Sequence, residues 1–400
     1  MIILKKAFTK ILCVFLAILL FSMGALCVCA ESDAALSYDA VTNSNAGAAG
    51  LSLPCASAIL MDAKTGTVIY EQNADAALPP ASVTKIMTLL LVMEAIDAGK
   101  ISLSDMVTVS ANAASMGGSQ VYLKEGESMS VEEMLKCVVI ASANDCAVAL
   151  AEYVAGSEEG FVSAMNQRAA ELQMLNTHFE NTNGLDDTAT NHVTSARDIA
   201  IMSRELISHP KILEYSGIWM DTIRDGSFGL TNTNRLVRFY PGCTGLKTGS
   251  TSKAKFCISA TAERDGLSLI CVIMAAQTRD ERNAAAAKLL DYGFAGFSSY
   301  HCEAGESIVR VEGGVQPECQ VRYEAFDALI PKGQSASVEK VIELSDTLTA
   351  PLLEGDEVGK VVFKLNGNEI GSLPIRVGEA VEKIEFGTLF CRMLSQFLLM

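Results

Sequence analysis

Residues 57–73, SAILMDAKTGTVIYEQN, read as two apolar strands joined at Lys64-Thr65-Gly66. Residues 253–276, KAKFCISATAERDGLSLICVIMAA, read as two more, turning at Asp265-Gly266. Neither pair makes a stable sheet alone. One sheet must therefore draw strands from both sides of a long intervening segment. That segment is patterned as helix at about 82–98, 131–141, 145–155, 158–173 and 195–207, and helix returns at 279–297. The expectation is an α+β domain over 52–298, an antiparallel sheet with a helical cluster.

After Ser299 the texture changes to short alternating runs with glycine turns, such as ESIVRVEGG and EVGKVVFKLNGNEIGSLPIRV. These predict a small all-β domain at 299–379, a spacer or docking unit without clustered reactive side chains. Residues 380–400 differ again. Leu389, Phe390, Met393, Leu394, Phe397 and Leu398 recur at three- and four-residue spacing, interrupted by Glu385, Arg392 and Gln396. Such a helix is too short to cross a bilayer and suits the membrane surface. A helix packed on the protein's own body is the competing reading.

Residues 1–30 begin with Lys5, Lys6 and Lys10 and continue through an apolar run to Ala30, the pattern of a secretory signal cleaved after Ala30. An uncleaved anchor is the alternative. Lipidation at Cys27 or Cys29 is disfavoured, because Leu26 and Val28 are not small. Residues 31–51 are small and polar and read as a linker. The chain carries 31 basic and 47 acidic residues, a net charge of −16, and three of the basic residues lie in the signal. Such a surface repels nucleic acid, so an anionic substrate must be met by local cations. The nine cysteines beyond residue 30 form no CxxC pair and sit mostly in apolar runs, which argues against a disulfide framework. His178, His192, His209 and His301 have no metal spacing, and no phosphate loop is present.

Candidate chemistry rests on three short patterns, each repeated. Ser-x-x-Lys occurs five times, Lys-Thr-Gly at 64 and 247, and Ser-Ala-Asn at 110 and 142. Context selects one set. Ser82 follows Pro79-Pro80-Ala81 and opens an apolar helix, with Lys85 one turn on along the same face. Ser142-Ala143-Asn144 lies in a polar turn between apolar helices. Lys247-Thr248-Gly249 is expected to open the strand leading into KFCISATA. The copy at Lys64 reads as a tight turn and that at Ser110 as a surface helix cap. For Ser82 and Ser142 helix capping is the plain alternative.

The ordered set Ser82-x-x-Lys85, Ser142-x-Asn144, Lys247-Thr248-Gly249 resembles the penicillin-binding protein and serine β-lactamase superfamily. Within it the chain is most similar to the low-molecular-weight D-alanyl-D-alanine carboxypeptidases, peptidase family S11. MGGSQVYLKEGE, NTHFENTNGLDD, TSARDIA and TGLKTGSTSKAKFCISATAERDG carry the likeness further.

The resemblance implies a β-lactamase/transpeptidase-like fold and a serine enzyme without cofactor or metal. It would remove the terminal D-alanine of peptidoglycan pentapeptide stems and be acylated by β-lactams. It would act outside the cell, attached peripherally to the outer face of the cytoplasmic membrane. Ser82 would be the nucleophile and Lys85 its base, with the lysine's pKa lowered by burial and by Lys247. Ser142 would relay the proton, and Asn144 would hold Lys85 or the substrate amide. Lys247 and Thr248 would meet the substrate carboxylate. The backbone N–H groups of Ser82 and Ser250 would hold the oxyanion. Arg235 and Arg238 could add positive charge, and Lys255 stands where relatives often carry glycine. Two rivals remain open: a class A type β-lactamase, whose E-x-x-L-N pattern the segment ELQMLN misses by one residue, and a non-catalytic wall-binding protein of the same fold.

Overall fold

A computed structural model of the chain describes residues 51–398, Thr188 excepted. The expected signal at 1–30 and nearly all of the linker at 31–51 lie outside the described residues. The central sheet comprises β1 (Ser57–Asp62), β2 (Val68–Gln72), β3 (Cys243–Thr251), β4 (Lys255–Arg264) and β5 (Leu267–Ala276). Its order is β2–β1–β5–β4–β3 with every neighbour antiparallel, so the two distant strand pairs meet along β1 and β5.

Period-two alternation explains why both faces of this sheet are covered. Ile59 and Met61 of β1, with Ile270, Val272 and Met274 of β5, point into one apolar core. That core is completed by α1 (Lys85–Asp97), α2 (Asn144–Ala155), α3 (Glu158–Glu171) and α4 (Ala196–Ile207). Ala58, Leu60, Leu269, Cys271 and Ile273 point the other way. They meet Ala285, Ala286, Leu289 and Leu290 of α5 (Arg279–Gly296), a helix opened by a capping box between Thr278 and Glu281.

One strand differs from expectation. Lys247 does not open β3 but sits in its middle, and Ser250 lies next to its end. Pro241 and Gly242 just before it and Gly245 and Gly249 within it dilute the strand signal. Pairing with β4 across the sheet supplies what local propensity lacks. The two discarded triplets behave as read. Lys64-Thr65-Gly66 is the β1–β2 turn, closed by the Thr65 N–H donating to Asp62 Oδ2 at 2.8 Å. Ser110 caps a short helix by accepting from the Ala113 N–H.

Of the eight strands after α5, Phe297–Cys302 and Phe326–Pro331 pair with each other, and the other six form one sheet. Its order is Val338–Leu344, Glu357–Leu365, Asn368–Val377, Glu318–Tyr323, Gly305–Glu312 and Thr347–Thr349, with only the last pair parallel. Its core is built on Phe363, fully buried and stacked on Phe326 with ring centroids 4.0 Å apart. Lys64 of the β1–β2 turn reaches this part of the chain through an ion pair with Asp327 at 2.7 Å. A final helix, Phe386–Leu398, leaves Phe386, Leu389, Phe390, Met393, Leu394, Phe397 and Leu398 exposed. Among the described residues no helix is long and apolar enough to cross a membrane. The nine cysteines beyond residue 30 are all unpaired, and five of them are buried.

Phe363→Ala removes the ring on which the core of this C-terminal part is stacked. It is expected to lower unfolding free energy by about 3–5 kcal/mol, read from the midpoint of urea denaturation. A loss below about 1 kcal/mol would mean the site collapses to fill the space.

Candidate active site

Three chain segments meet at the edge strand β3. Ser82 lies in a 3₁₀ turn, Ala81–Thr84, that runs directly into α1 and puts Lys85 at the first helical position. Neither Ser82 nor Ser142 is the N-cap of the helix that follows it. Ser142 follows a π-helical segment, Cys137–Ala141, and takes a left-handed backbone with φ 64°. A non-glycine residue in that region is strained and persists where the surroundings enforce it. The turn projects Ser142 toward β3, and Asn144 opens α2 behind it.

The side chains form a connected polar floor. Lys85 Nζ lies 2.9 Å from Ser82 Oγ and donates to Asn144 Oδ1 at 2.6 Å and to the Asn183 carbonyl at 2.7 Å. Asn144 Nδ2 donates to the Gly117 carbonyl at 2.6 Å, so both ends of that amide are engaged. Lys247 Nζ donates to Ser142 Oγ and to the Thr248 carbonyl, each at 2.8 Å. Thr248 Oγ1 donates to Thr233 Oγ1 at 2.8 Å. Above this floor opens a cleft of about 630 Å³ lined by Ser82, Ser142, Thr248, Gly249 and Ser250. Lys85, Asn144 and Lys247 lie beneath it, buried, and do not line it.

Charge states follow from burial. Lys85 is driven well below its ordinary 10.5, first by loss of water and then by the Lys247 charge, with Asp145 opposing. Lys247 is lowered to about 7 by burial and by Arg282. A neutral Lys85 has two N–H groups, which its fixed acceptors Asn144 Oδ1 and Asn183 O take. Its lone pair is then left to accept the Ser82 hydroxyl proton.

Two glycines permit the assembly. A Cβ on Gly249 would stand 2.8 Å from the Pro80 carbonyl oxygen and from the Ser82 nitrogen, so only glycine lets β3 press against the serine turn. Gly184, at φ 84°, would carry a Cβ 1.9 Å from the Ala81 carbonyl oxygen. The segment Asn183-Gly184 thus buttresses Ser82 from one side while binding Lys85. His192 supports the same turn. Its Nδ1 accepts from the Glu180 N–H at 2.9 Å, which fixes the proton on Nε2, 2.7 Å from Thr84 Oγ1. Thr84 in turn donates to the Ala81 carbonyl at 2.8 Å. Burial lowers His192 to about 4 and keeps it neutral.

Sequence reasoning missed Asn183, Gly184, His192, Asp145, Thr233 and Arg282. Asn183 and Gly184 lie in the quoted segment NTHFENTNGLDD, and Arg282 left a sign in its helical spacing. Residues 282, 285, 286, 289 and 290 share the buried face of α5, so the spacing puts a guanidinium among apolar positions. Arg282 is 3% exposed, donates to Asn283 Oδ1 at 2.8 Å, and lines the cleft. Arg235 also lines the cleft, whereas Arg238 stacks on Trp219 and Phe239. Lys255 adopts φ 57°, which explains a preference for glycine there. Glu171, the carboxylate of ELQMLN, is exposed and bonded to Gln167 and Arg168. It therefore lends nothing to a class A reading.

The family model described as D-alanyl-D-alanine carboxypeptidase, peptidase S11, matches residues 42–278, more than half of the chain. The chain belongs to the peptidase S11 family of D-alanyl-D-alanine carboxypeptidases. It is a hydrolase and a penicillin-binding protein. A second model, the C-terminal domain of penicillin-binding protein 5, matches residues 319–383. The D-alanyl-D-alanine carboxypeptidase DacF of Bacillus subtilis is 42% identical over 349 residues, which cover 85% of this chain and 89% of DacF. The crystal structure of penicillin-binding protein 5 from Haemophilus influenzae aligns with a TM-score of 0.74 at 32% identity, covering 83% of this chain and 99% of its own. Penicillin-binding protein D2 of Listeria monocytogenes, solved in an ampicillin-bound form, aligns with a TM-score of 0.56 at 33% identity, over 61% of this chain and 99% of its own.

The depressed lysines make the carboxypeptidase's stability depend on pH. The unfolded chain protonates both amines more readily than the native state does, so stability rises with pH between the native values and 10.5. Lys85→Met removes one of the two protons. It is expected to reduce the slope of unfolding free energy against pH by about 1.4 kcal/mol per unit between roughly pH 7.5 and 9.5. Equal slopes in both proteins would mean that Lys85 is charged in the native state.

Proposed function

We propose that this carboxypeptidase removes the terminal D-alanine of peptidoglycan pentapeptide stems through an acyl-enzyme on Ser82. The observation that carries the reading is the Lys85 amine, buried, bonded to two fixed acceptors and 2.9 Å from the Ser82 oxygen. The neutral amine takes the Ser82 proton as Oγ attacks the carbonyl between the two D-alanines. Developing negative charge meets the backbone N–H groups of Ser82 and Ser250, where Gly249 brings strand and turn together. Ser142, hydrogen-bonded to Lys247, passes a proton to the departing nitrogen. Water entering after D-alanine leaves is activated by the same amine and hydrolyses the ester.

Asn144 holds Lys85 through Oδ1 and the Gly117 carbonyl through one Nδ2 hydrogen, and its second Nδ2 hydrogen is left for the substrate amide. Lys247 is too enclosed to touch a carboxylate. That contact falls to Arg282, a nearly buried guanidinium without an acidic partner among the described residues, and to the Thr248 hydroxyl, which turns from Thr233 Oγ1 to donate to the carboxylate. β-Lactams, which imitate the D-alanyl dipeptide, acylate the same serine.

The leader at 1–30 exports the chain and is removed after Ala30, and residues 31–51 serve as a linker. The catalytic domain, 52–298, is carried by the β domain at 299–379. The segment 380–400 lies on the outer face of the cytoplasmic membrane. Support for the last step is the row of exposed apolar side chains on Phe386–Leu398, which includes a single cation, Arg392. Attachment is therefore apolar and indifferent to lipid charge. Replacing Phe390 and Leu394 together by glutamate should release the protein from zwitterionic vesicles. Release that depended instead on anionic lipid would contradict the apolar reading.

Mass spectrometry of products from a muramyl pentapeptide tests the reaction, with fluorescent penicillin as a probe of the acyl-enzyme. Ser82→Ala and Lys85→Ala should each lower D-alanine release at least about a thousandfold and abolish labelling. Lys64→Ala, in the other Lys-Thr-Gly copy, should retain both. Equal losses in Lys64→Ala and Lys85→Ala would overturn the assignment.

A further inference from the structure

The cleft contains more positive charge than one terminal carboxylate requires. Arg235, Arg279 and Arg282 all line it, and among the described residues none of the three takes part in an ion pair. Among the described residues no aspartate or glutamate lines the cleft, in a protein of net charge −16. The arginines also sense one another: burial first, and then the Arg279 and Arg235 charges, push the Arg282 guanidinium down to about 10, with Cys257 and Asp280 opposing. Three unpaired like charges at one end of a cleft repel unless anions join them.

Their position is the leaving-group end. Arg282 acts on Lys247, and its Nη1 lies 3.4 Å from the carbonyl of Cys257, the residue paired with Gly249. Arg235 stands two residues from Thr233, which accepts the Thr248 hydroxyl. Arg279 occupies the first position of α5, where the helix dipole disfavours a cation. It is exposed and makes no hydrogen bond with its side chain among the described residues, so the fold does not explain it.

We propose that Arg279 binds a second carboxylate on the leaving residue, beside the terminal carboxylate held by Thr248 and Arg282. The enzyme accordingly favours leaving D-amino acids whose side chain ends in a carboxylate over neutral ones of the same size. This rests on the reading of the cleft given under Proposed function. Arg279 acts on the residue that departs and takes no part in the bond-making step.

The test compares N-acylated peptides ending in D-Ala-D-Glu, D-Ala-D-Gln and D-Ala-D-Ala. In the wild-type protein kcat/KM for the D-Glu peptide should exceed that for D-Gln by about tenfold, as for a charge-assisted hydrogen bond. The ratio should fall toward one in Arg279→Gln and be kept in large part by Arg279→Lys. Each ratio is taken within one protein, so partial loss of folded enzyme does not alter it. As a measurement without mutation, added salt should lower the wild-type ratio. Equal rates on D-Glu and D-Gln, with D-Ala-D-Ala cleaved normally, would overturn the Arg279 assignment alone. A ratio unchanged in Arg279→Gln would do the same. A wild-type protein that releases no D-alanine would overturn the reading of the cleft as well.

Discussion

Two lysines buried in one pocket constrain the rest of this structure. An ammonium group removed from water is costly unless it is neutralised or fully bonded, and here both routes are used. Lys85 is pushed toward the neutral form, while its hydrogen atoms are taken by Asn144 and Asn183. Lys247 is lowered to about 7 and is satisfied by Ser142 and its neighbour's carbonyl. Remove any of these acceptors and a buried donor is stranded. The catalytic arrangement and the local stability problem therefore have a common solution, supplied by three segments far apart in the chain.

Holding those segments together requires backbone that ordinary residues avoid. Ala81 and Ser142 have positive φ, one on each side of the cleft floor. Ala81 is gripped from above by Gly184 and from behind by the His192–Thr84 chain. Such strain persists only where packing over-determines it. Three histidine and threonine contacts that never touch substrate thus decide where Ser82 Oγ points. Sequence spacing alone has no means of showing them, because Thr84 and His192 lie 108 residues apart.

Much of the fold was legible because its signals are periodic. β1 and β5 are central strands whose alternate residues face two cores, and both read as strands from apolar content and turn residues. β3 was misplaced by several residues because its glycines are there for close approach, not for strand formation. The same physical reason that makes Gly249 necessary beside Ser82 makes the strand hard to see. In the site, Ser82, Lys85, Ser142 and Lys247 were chosen from repeated triplets by context, and the structure brings these four together. Arg282 was hidden by its type: a charged residue on a helix reads as solvent-facing, and only its register against Ala285, Ala286, Leu289 and Leu290 contradicts that.

Charge is distributed to suit an anionic substrate at one point only. The protein is strongly acidic as a whole, so at long range it repels the carboxylates it must bind. Screening limits that repulsion to about 10 Å at moderate ionic strength. Within this distance the arginine-lined end of the cleft dominates, because among the described residues no acidic side chain lines it. Discrimination then arises from alignment at close range, where a carboxylate must reach a guanidinium held by α5. Because Arg282 also lowers Lys247, and Lys247 lowers Lys85, an anion bound there changes the field at the amine beside Ser82. Occupancy of the cleft end and the charge state of the Lys85 amine are thus linked through Arg282 and Lys247, with no moving part required.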